Sequence, residues 1–324
     1  MNSRELVSKV IKGEKVSKTP IYGWIKANLN EKLKERFGSA EAFEDKYEFD
    51  MAHIFGGPDP YSTAEFKELK DSHTTITPEM ALEIPFKKVN SEDYKKVKNN
   101  LTFYQEDRQR FCYVQTPGIF ESLNDIFGIE NHLMYMALYP ELMEQVYQKQ
   151  GLWNRQNADH LMDLGVDMIH ISDDWGAQNS MLFSYDMWRE YIYPNHKLVC
   201  DRVKERNVFV SLHSDGNINA ALDGIVELGF NVIHPYQEAA NMNYQTYLNR
   251  YADKFAILGG LCIQTTLGFG NYEHLSDEIE RVFRILKDRK WIFCTTHFVQ
   301  DHCTIDELVY AYDLAFKLAH QKKI

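Results

Sequence analysis

Asn207-Val208-Phe209-Val210-Ser211-Leu212-His213-Ser214-Asp215-Gly216-Asn217-Ile218 is the stretch whose reading decides the fold. It is a short β-branched and aromatic strand that runs into a polar knot of His, Ser, Asp, Gly and Asn. An apolar helical pattern follows at once over 218–228. Strand, polar turn and helix make a βα unit, and the turn at the strand's carboxyl end carries chemistry because a buried strand fixes the side chains that emerge from it. His213 and Asp215 stand two residues apart, so while strand geometry persists they point to the same side and can share a ligand.

Outward from this stretch the same grammar recurs. Strand-like runs lie at 20–24, 51–55, 111–115, 167–172, 208–212, 231–234, 255–258 and 291–295, with helical periodicity between most of them. One such helix is expected over 140–164, with Leu142, Met143, Val146 and Tyr147 on one face. Strands alternating with helices imply parallel pairing through right-handed crossovers. Eight such units predict a single-domain (β/α)8 TIM barrel over residues 1–324, with an insertion at about 56–110. Within that insertion, 73–76 and 81–86 read as β-type segments, and Lys95-Lys96-Val97-Lys98 as a solvated face.

Composition excludes several classes. A net charge of −11 argues against nucleic acid, whose binders concentrate Lys and Arg. No apolar run approaches the ~20 residues that span a bilayer and no signal-like apolar segment opens the chain, so no membrane partner and a cytoplasmic location are expected. Five cysteines without a CxxC pair fit free thiols in a reducing compartment.

In such a barrel the active-site rim is the set of strand ends. Here they carry Tyr22 and Trp24, Phe55 before Gly56-Gly57-Pro58, Thr116-Pro117-Gly118, Asp173-Asp174-Trp175-Gly176, His213-Ser214-Asp215-Gly216, Tyr236-Gln237-Glu238, Gly259-Gly260-Leu261-Cys262 and Thr296-His297. Aromatic walls with a few carboxylates, imidazoles and a thiol describe a pocket for an organic substrate, with room for a metal. Tyr22, Trp24, Phe55, Trp175 and Tyr236 are expected to hold a flat substrate; Asp173, Asp215 and Gln237 are the expected catalytic groups. Plainer readings stand beside these. The aromatics are also ordinary barrel packing, Cys262 a small apolar filler, and one of Asp173 and Asp174 a cap for the following helix. No dinucleotide or P-loop fingerprint is present.

The rim also carries a resemblance. Thr116-Pro117-Gly118-Ile119-Phe120-Glu121, Asp173-Asp174-Trp175-Gly176-Ala177-Gln178, His213-Ser214-Asp215-Gly216-Asn217-Ile218, Pro235-Tyr236-Gln237 and Gly259-Gly260-Leu261 resemble, in order, motifs of the uroporphyrinogen decarboxylase superfamily. Within it the chain is similar to the corrinoid-dependent methyltransferases. Decarboxylases place an arginine-rich loop after the first strand to grip the carboxylates of a porphyrinogen, where this chain has Tyr22-Gly23-Trp24-Ile25-Lys26-Ala27. Methyltransferases acting on coenzyme M bind zinc through His-x-Cys and a distant Cys. Here His213 matches the His, Asp215 stands for the first Cys and His297 for the second, which leaves a harder N/O site that still suits zinc.

The resemblance therefore implies a methyltransferase that moves a methyl group from a small donor, a methoxylated aromatic, to cobalamin carried by a separate corrinoid protein. The implied cofactor is zinc on His213, Asp215 and His297, with Cys262 or Glu238 in reserve and Asp173 or Glu238 orienting the ligands. The chain lacks a DxHxxG-type corrinoid motif, so the cobalamin comes with the partner. Two alternatives remain open at this point: a metal-free decarboxylase or lyase acting on a carboxylic acid, and a non-catalytic binding barrel. A homodimer is also left open.

Overall fold

In the computed structural model, which describes residues 1–321, seven parallel strands form one sheet in sequence order. They are β1 (Met51–Ile54), β2 (Phe111–Pro117), β3 (Met168–Ser172), β4 (Phe209–His213), β5 (Val232–His234), β6 (Ala256–Leu261) and β7 (Trp291–Thr295). Each overlaps one of the expected runs. β3 and β7 are buried along their whole length, as strands covered on both faces must be.

The eighth expected strand is a correction. Residues 20–24 form a single parallel bridge, Ile21 to Phe293, and the sheet is seven-stranded and barrel-like, not a closed eight-stranded barrel. The bridge segment still lies between the two edge strands. Tyr22 N–H donates to Phe293 O at 2.8 Å and Phe293 N–H to Pro20 O at 3.0 Å, while Asp50 N–H donates to Ile21 O at 2.9 Å. Two features stop it from becoming a strand. Pro20 has no N–H to give a ladder, and the Ile21 N–H donates instead to the side-chain Oδ2 of Asp50 at 3.0 Å.

The β1 to β2 connection holds no strand where β-type segments were expected: 73–76 is a turn between two helices, and 81–86 begins as the end of a helix and continues irregularly. Helices Ala64–Ser72, Pro78–Glu83 and Lys95–Leu101 occupy the connection. Thr63 and Thr77 cap the first two through Phe66 N–H and Met80 N–H, and Pro78 opens the second. These start signals outweigh the local β-branched residues. Lys95, Lys96 and Lys98 are exposed while Val97 is buried. Among the described residues no helix is long and apolar enough to cross a membrane.

Strand alternation sets the chemistry of the inner layer. Ile169, Ile171, Val210, Leu212 and Ile233 occupy one face of the sheet. On the other, His170 is in register with Ser211, and Ser172, His213 and His234 fall in line. The result is a polar, imidazole-rich interior rather than an aliphatic one.

The loops leaving β3 and β4 are locked backbone to backbone. A Cβ on Gly216, whose φ is +76°, would lie 2.6 Å from the Gly176 carbonyl carbon, and a Cβ on Gly176 would lie 2.3 Å from Asp215 O. Asn217 N–H donates to Ala177 O at 2.8 Å across the seam, and Trp175 N–H donates to Ser214 Oγ at 3.0 Å. Gly216→Ala is therefore expected to cost about 2–5 kcal/mol, from the left-handed backbone and from overpacking together. Gly165, at φ +85° with nothing within 4 Å of its Cβ position, is the control. Its Ala variant should lose only about 1–2 kcal/mol. Equal losses of the two in denaturant titrations would contradict the close approach.

Candidate functional site

Trp24 forms the floor of the site and is pinned at both ends. Its backbone N–H donates to Thr295 Oγ1 at 2.9 Å and its indole N–H to Tyr113 Oη at 2.7 Å. Four imidazoles from four strands lie against it. His53, His170, His213 and His234 have ring centroids 4.7, 5.9, 5.1 and 4.1 Å from the indole. Burial holds all four below the ordinary histidine pKa, His213 at about 3 with His297 adding to the effect. They are neutral rings at pH 7.

Below the site His213 Nδ1 lies 2.8 Å from His234 Nδ1, and His234 Nε2 lies 3.0 Å from Thr295 O. Above, His213 Nε2 faces two carboxylates, Asp174 Oδ1 at 3.7 Å and Asp215 Oδ1 at 4.0 Å. His297 Nε2 lies 3.7 Å from Asp215 Oδ2. Among the described residues, the one group of three or more His, Cys, Asp or Glu whose ligand atoms all fall within 4.8 Å of one another is His213, Asp215 and His297. Tetrahedral zinc places its ligand atoms about 3.3 Å apart, so the group needs only a small contraction to close on an ion. Asp215 Oδ1 supplies the test of fit: it is buried and has no hydrogen-bond partner among the described residues, although the side chain as a whole is 32% exposed. A carboxylate whose bare Oδ1 faces the His213 imidazole and whose Oδ2 faces the His297 imidazole is an arrangement that a divalent cation completes.

The surrounding carboxyls reinforce that demand for positive charge. Burial, then Asp174 and Glu121, push the Asp215 carboxyl up to about 8. Burial, then Asp174 and Asp173, push Glu121 up to about 7, and its Oε2 accepts from Ser172 Oγ at 3.0 Å. Asp174 is likewise raised by burial and by Asp173, and its Oδ1 accepts from Asp215 N–H at 2.8 Å. Beside this cluster opens a cavity of about 340 Å³ lined by Tyr22, Trp24, Lys26, His53, Phe55 and Phe298 among others. Phe298 and His297 are edge to face at 5.1 Å, which joins cavity and ligand group.

Several expected site residues lie elsewhere. Asp173 is fully buried and saturated: Oδ1 accepts from Phe120 N–H at 2.8 Å and Glu121 N–H at 2.7 Å, and Oδ2 lies 2.7 Å from His196 Nε2. It caps the helix Glu121–Phe127, which precedes it in the chain, rather than the following helix as expected, and the carboxylate left facing the site is Asp174. Gln237 is buried with Oε1 accepting from Gly216 N–H at 2.8 Å, a brace for the β4 loop. Trp175 packs on Trp188 and His196, and Tyr236 on Tyr244, Tyr247 and Phe255, so both are core residues away from the cavity. Glu238 is paired with Arg281 at 2.5 Å, and neither it nor Cys262 joins the ligand group. Tyr22, Trp24 and Phe55 do line the cavity. Asp174 was weighed from sequence only as one of an undecided pair with Asp173, and Glu121, His53, His170 and His234 were not singled out. The alternation of His and Ser with Ile and Leu in β3 and β4 carried a signal for the imidazole layer.

The comparisons with known proteins come to the same fold. The model of the uroporphyrinogen decarboxylase (URO-D) family matches residues 118–315, well over half of the chain. A methyltransferase from Methanosarcina mazei superposes with a TM-score of 0.68 at 14% identity, covering 98% of this chain and 98% of that one. A B12-independent methionine synthase from Shewanella sp. W3-18-1, in complex with selenomethionine, gives 0.49 at 12%, covering 72% of this chain and 68% of that one. At 14% identity the likeness to the Methanosarcina mazei methyltransferase concerns fold alone. No curated protein sequence matches the chain.

Ligation requires Asp215 ionised, whereas its folded pKa of about 8 lies above that of a free carboxyl, so below that pH a proton competes with the metal. The affinity for zinc should fall by about tenfold per unit as pH drops from about 8 to about 6. His213, held at about 3 by burial, adds nothing to this slope, and His297, shifted downward by burial, adds less than a free imidazole would. Competition with a chromophoric chelator measures it. An affinity that is flat with pH, in a protein that does bind zinc, would remove Asp215 from the ligand set.

Proposed function

The chain belongs to the uroporphyrinogen decarboxylase family, and from that premise we propose that it is a methyltransferase which moves the methyl group of a small methoxylated aromatic to the reduced cobalt of a corrinoid protein. One observation carries the reading: His213, Asp215 and His297 present converging N/O ligand atoms beside an aromatic cavity. Zinc held by these three would supply a Lewis acid for the ether oxygen of the donor.

The chain's own groups fit the remaining tasks. Trp24, Phe55 and Phe298 form flat apolar walls that bind and orient an aromatic ring and exclude water from it. As the methyl C–O bond breaks, its electron pair stays on the arene oxygen, and the new C–Co bond takes its pair from Co(I) of the corrinoid substrate. Glu121, with a carboxyl pushed up to about 7, is suited to give that oxygen its proton. Asp174 holds the Asp215 backbone and thereby the direction of its carboxylate. A docked corrinoid protein brings its cobalt at high effective concentration, as free cobalamin cannot.

Decarboxylation of a porphyrinogen suits this cavity poorly. A substrate with many carboxylates needs several fixed cations. Among the described residues, the one cation lining the cavity, Lys26, is already paired with Glu41 at 2.8 Å and Glu44 at 2.9 Å.

The test is the absorbance change from Co(I) to methyl-Co(III) when the zinc-loaded enzyme, a reduced corrinoid protein and a panel of methoxyphenols and methoxybenzoates are mixed. Transfer is expected with at least one donor, and Asp215→Ala should slow it by about 100-fold while leaving the far-ultraviolet circular dichroism unchanged. No transfer across the panel, with release of CO₂ from an acid in the same preparation, would replace this reading by a lyase.

A further inference from the structure

His213 and His234 face each other through their Nδ1 atoms, 2.8 Å apart, and only one proton fits between them. Which ring owns it follows from the far side of His234. Its Nε2 lies 3.0 Å from the carbonyl oxygen of Thr295, which can only accept, so Nε2 carries a hydrogen. Were His234 also protonated at Nδ1 it would be an imidazolium with no exposed surface, and none of the ion pairs formed by histidines among the described residues includes it. An unpaired buried cation of that kind is strongly unfavourable. His234 is therefore neutral, its Nδ1 is a bare acceptor, and the shared proton sits on His213 Nδ1. The proton assignment is made from this network of partners and burial.

We infer that His234 is a positioning residue: held by the Thr295 carbonyl, it fixes His213 as the Nδ1–H tautomer and so turns the Nε2 lone pair of His213 toward Asp215 and His297. This rests on the reading of those three residues as a metal site, and it adds what makes His213 a ligand rather than a donor. With the other tautomer, Nε2–H would point at the ion's place and no bond could form until the ring rearranged. An imidazole free in water favours the Nε2–H form, so the chain from Thr295 works against the ring's own preference. Trp24, stacked on His234 at 4.1 Å between centroids, keeps the anchoring ring from turning. His ligands are commonly oriented by a second hydrogen bond, usually to a carboxylate or a carbonyl. Here another neutral imidazole takes that place.

The experiment uses the full chain, metal-free and then titrated with zinc alone, with no methyl donor present. Side-chain ¹⁵N spectra of the metal-free protein at neutral pH should show His213 as Nδ1–H and His234 as Nε2–H. In His234→Phe, which keeps a ring against Trp24 but removes the acceptor, His213 should move toward Nε2–H and zinc should bind about 10–100-fold more weakly. His234→Asn, whose Oδ1 can accept the same proton, should recover most of the affinity. A wild-type His213 found as Nε2–H would overturn the inference whatever the variants do. So would a folded His234→Phe protein that keeps both the Nδ1–H signal and wild-type affinity. Failure of every methoxyarene as a donor would strike the proposed reaction and leave this result standing.

Discussion

A single hydrogen bond between two buried imidazoles, His213 to His234, is the constraint on which the site depends. It ties the end of β4 to the end of β5, and through Thr295 O it ties both to β7. Trp24 packs over the pair from the segment that bridges the sheet's edges, and its backbone N–H uses the hydroxyl of the same Thr295. Three strand ends and the closing segment thus meet at one residue. Because each partner is buried and each polar atom in the chain from Thr295 to His213 is satisfied, the arrangement has few alternatives of similar energy.

Above that chain the balance reverses. Glu121, Asp174 and Asp215 crowd together with carboxyl pKa values raised by burial and by neighbouring carboxylates, and Asp215 Oδ1 has no partner among the described residues. A buried polar atom left without a partner costs on the order of 1–3 kcal/mol, and the fold sustains it by locking the backbone underneath. The Gly176–Gly216 contact and the brace from Gln237 hold the two loops so that the carboxylates cannot move apart. Local strain of this kind, compensated by rigid surroundings, is characteristic of sites built to receive something.

Much of this was legible in the sequence. The strand ends that carry chemistry could be read because a buried strand followed by a polar turn has few other meanings; that reading paired His213 with Asp215, and the family resemblance added His297 to them. The eighth strand was misread because Pro20 and Asp50 act through groups that a run of apolar residues does not reveal: a missing N–H and a side chain that takes the place of a ladder partner. Asp173 and Asp174 are adjacent and alike, and only the position of the neighbouring helix start makes one a cap and the other a site residue. Trp175 and Tyr236 follow strands as Phe55 does, but the chain turns outward after β3 and β5, so these rings enter the helix layer. Glu121 was visible only as part of a motif, since the turn that brings it under Asp174 depends on Asp173 gathering the backbone N–H groups of Phe120 and Glu121.

The central claim is a metal centre of nitrogen and oxygen ligands at the mouth of an imidazole-lined barrel. X-ray absorption at the zinc edge of the zinc-loaded protein tests it most directly. A first shell of N and O atoms at about 2.0–2.1 Å, with the outer scattering of two imidazoles and no sulfur, is the predicted result. A sulfur shell at about 2.3 Å would bring Cys262 or another thiol into the site and contradict the assignment of His213, Asp215 and His297 as the ligand set.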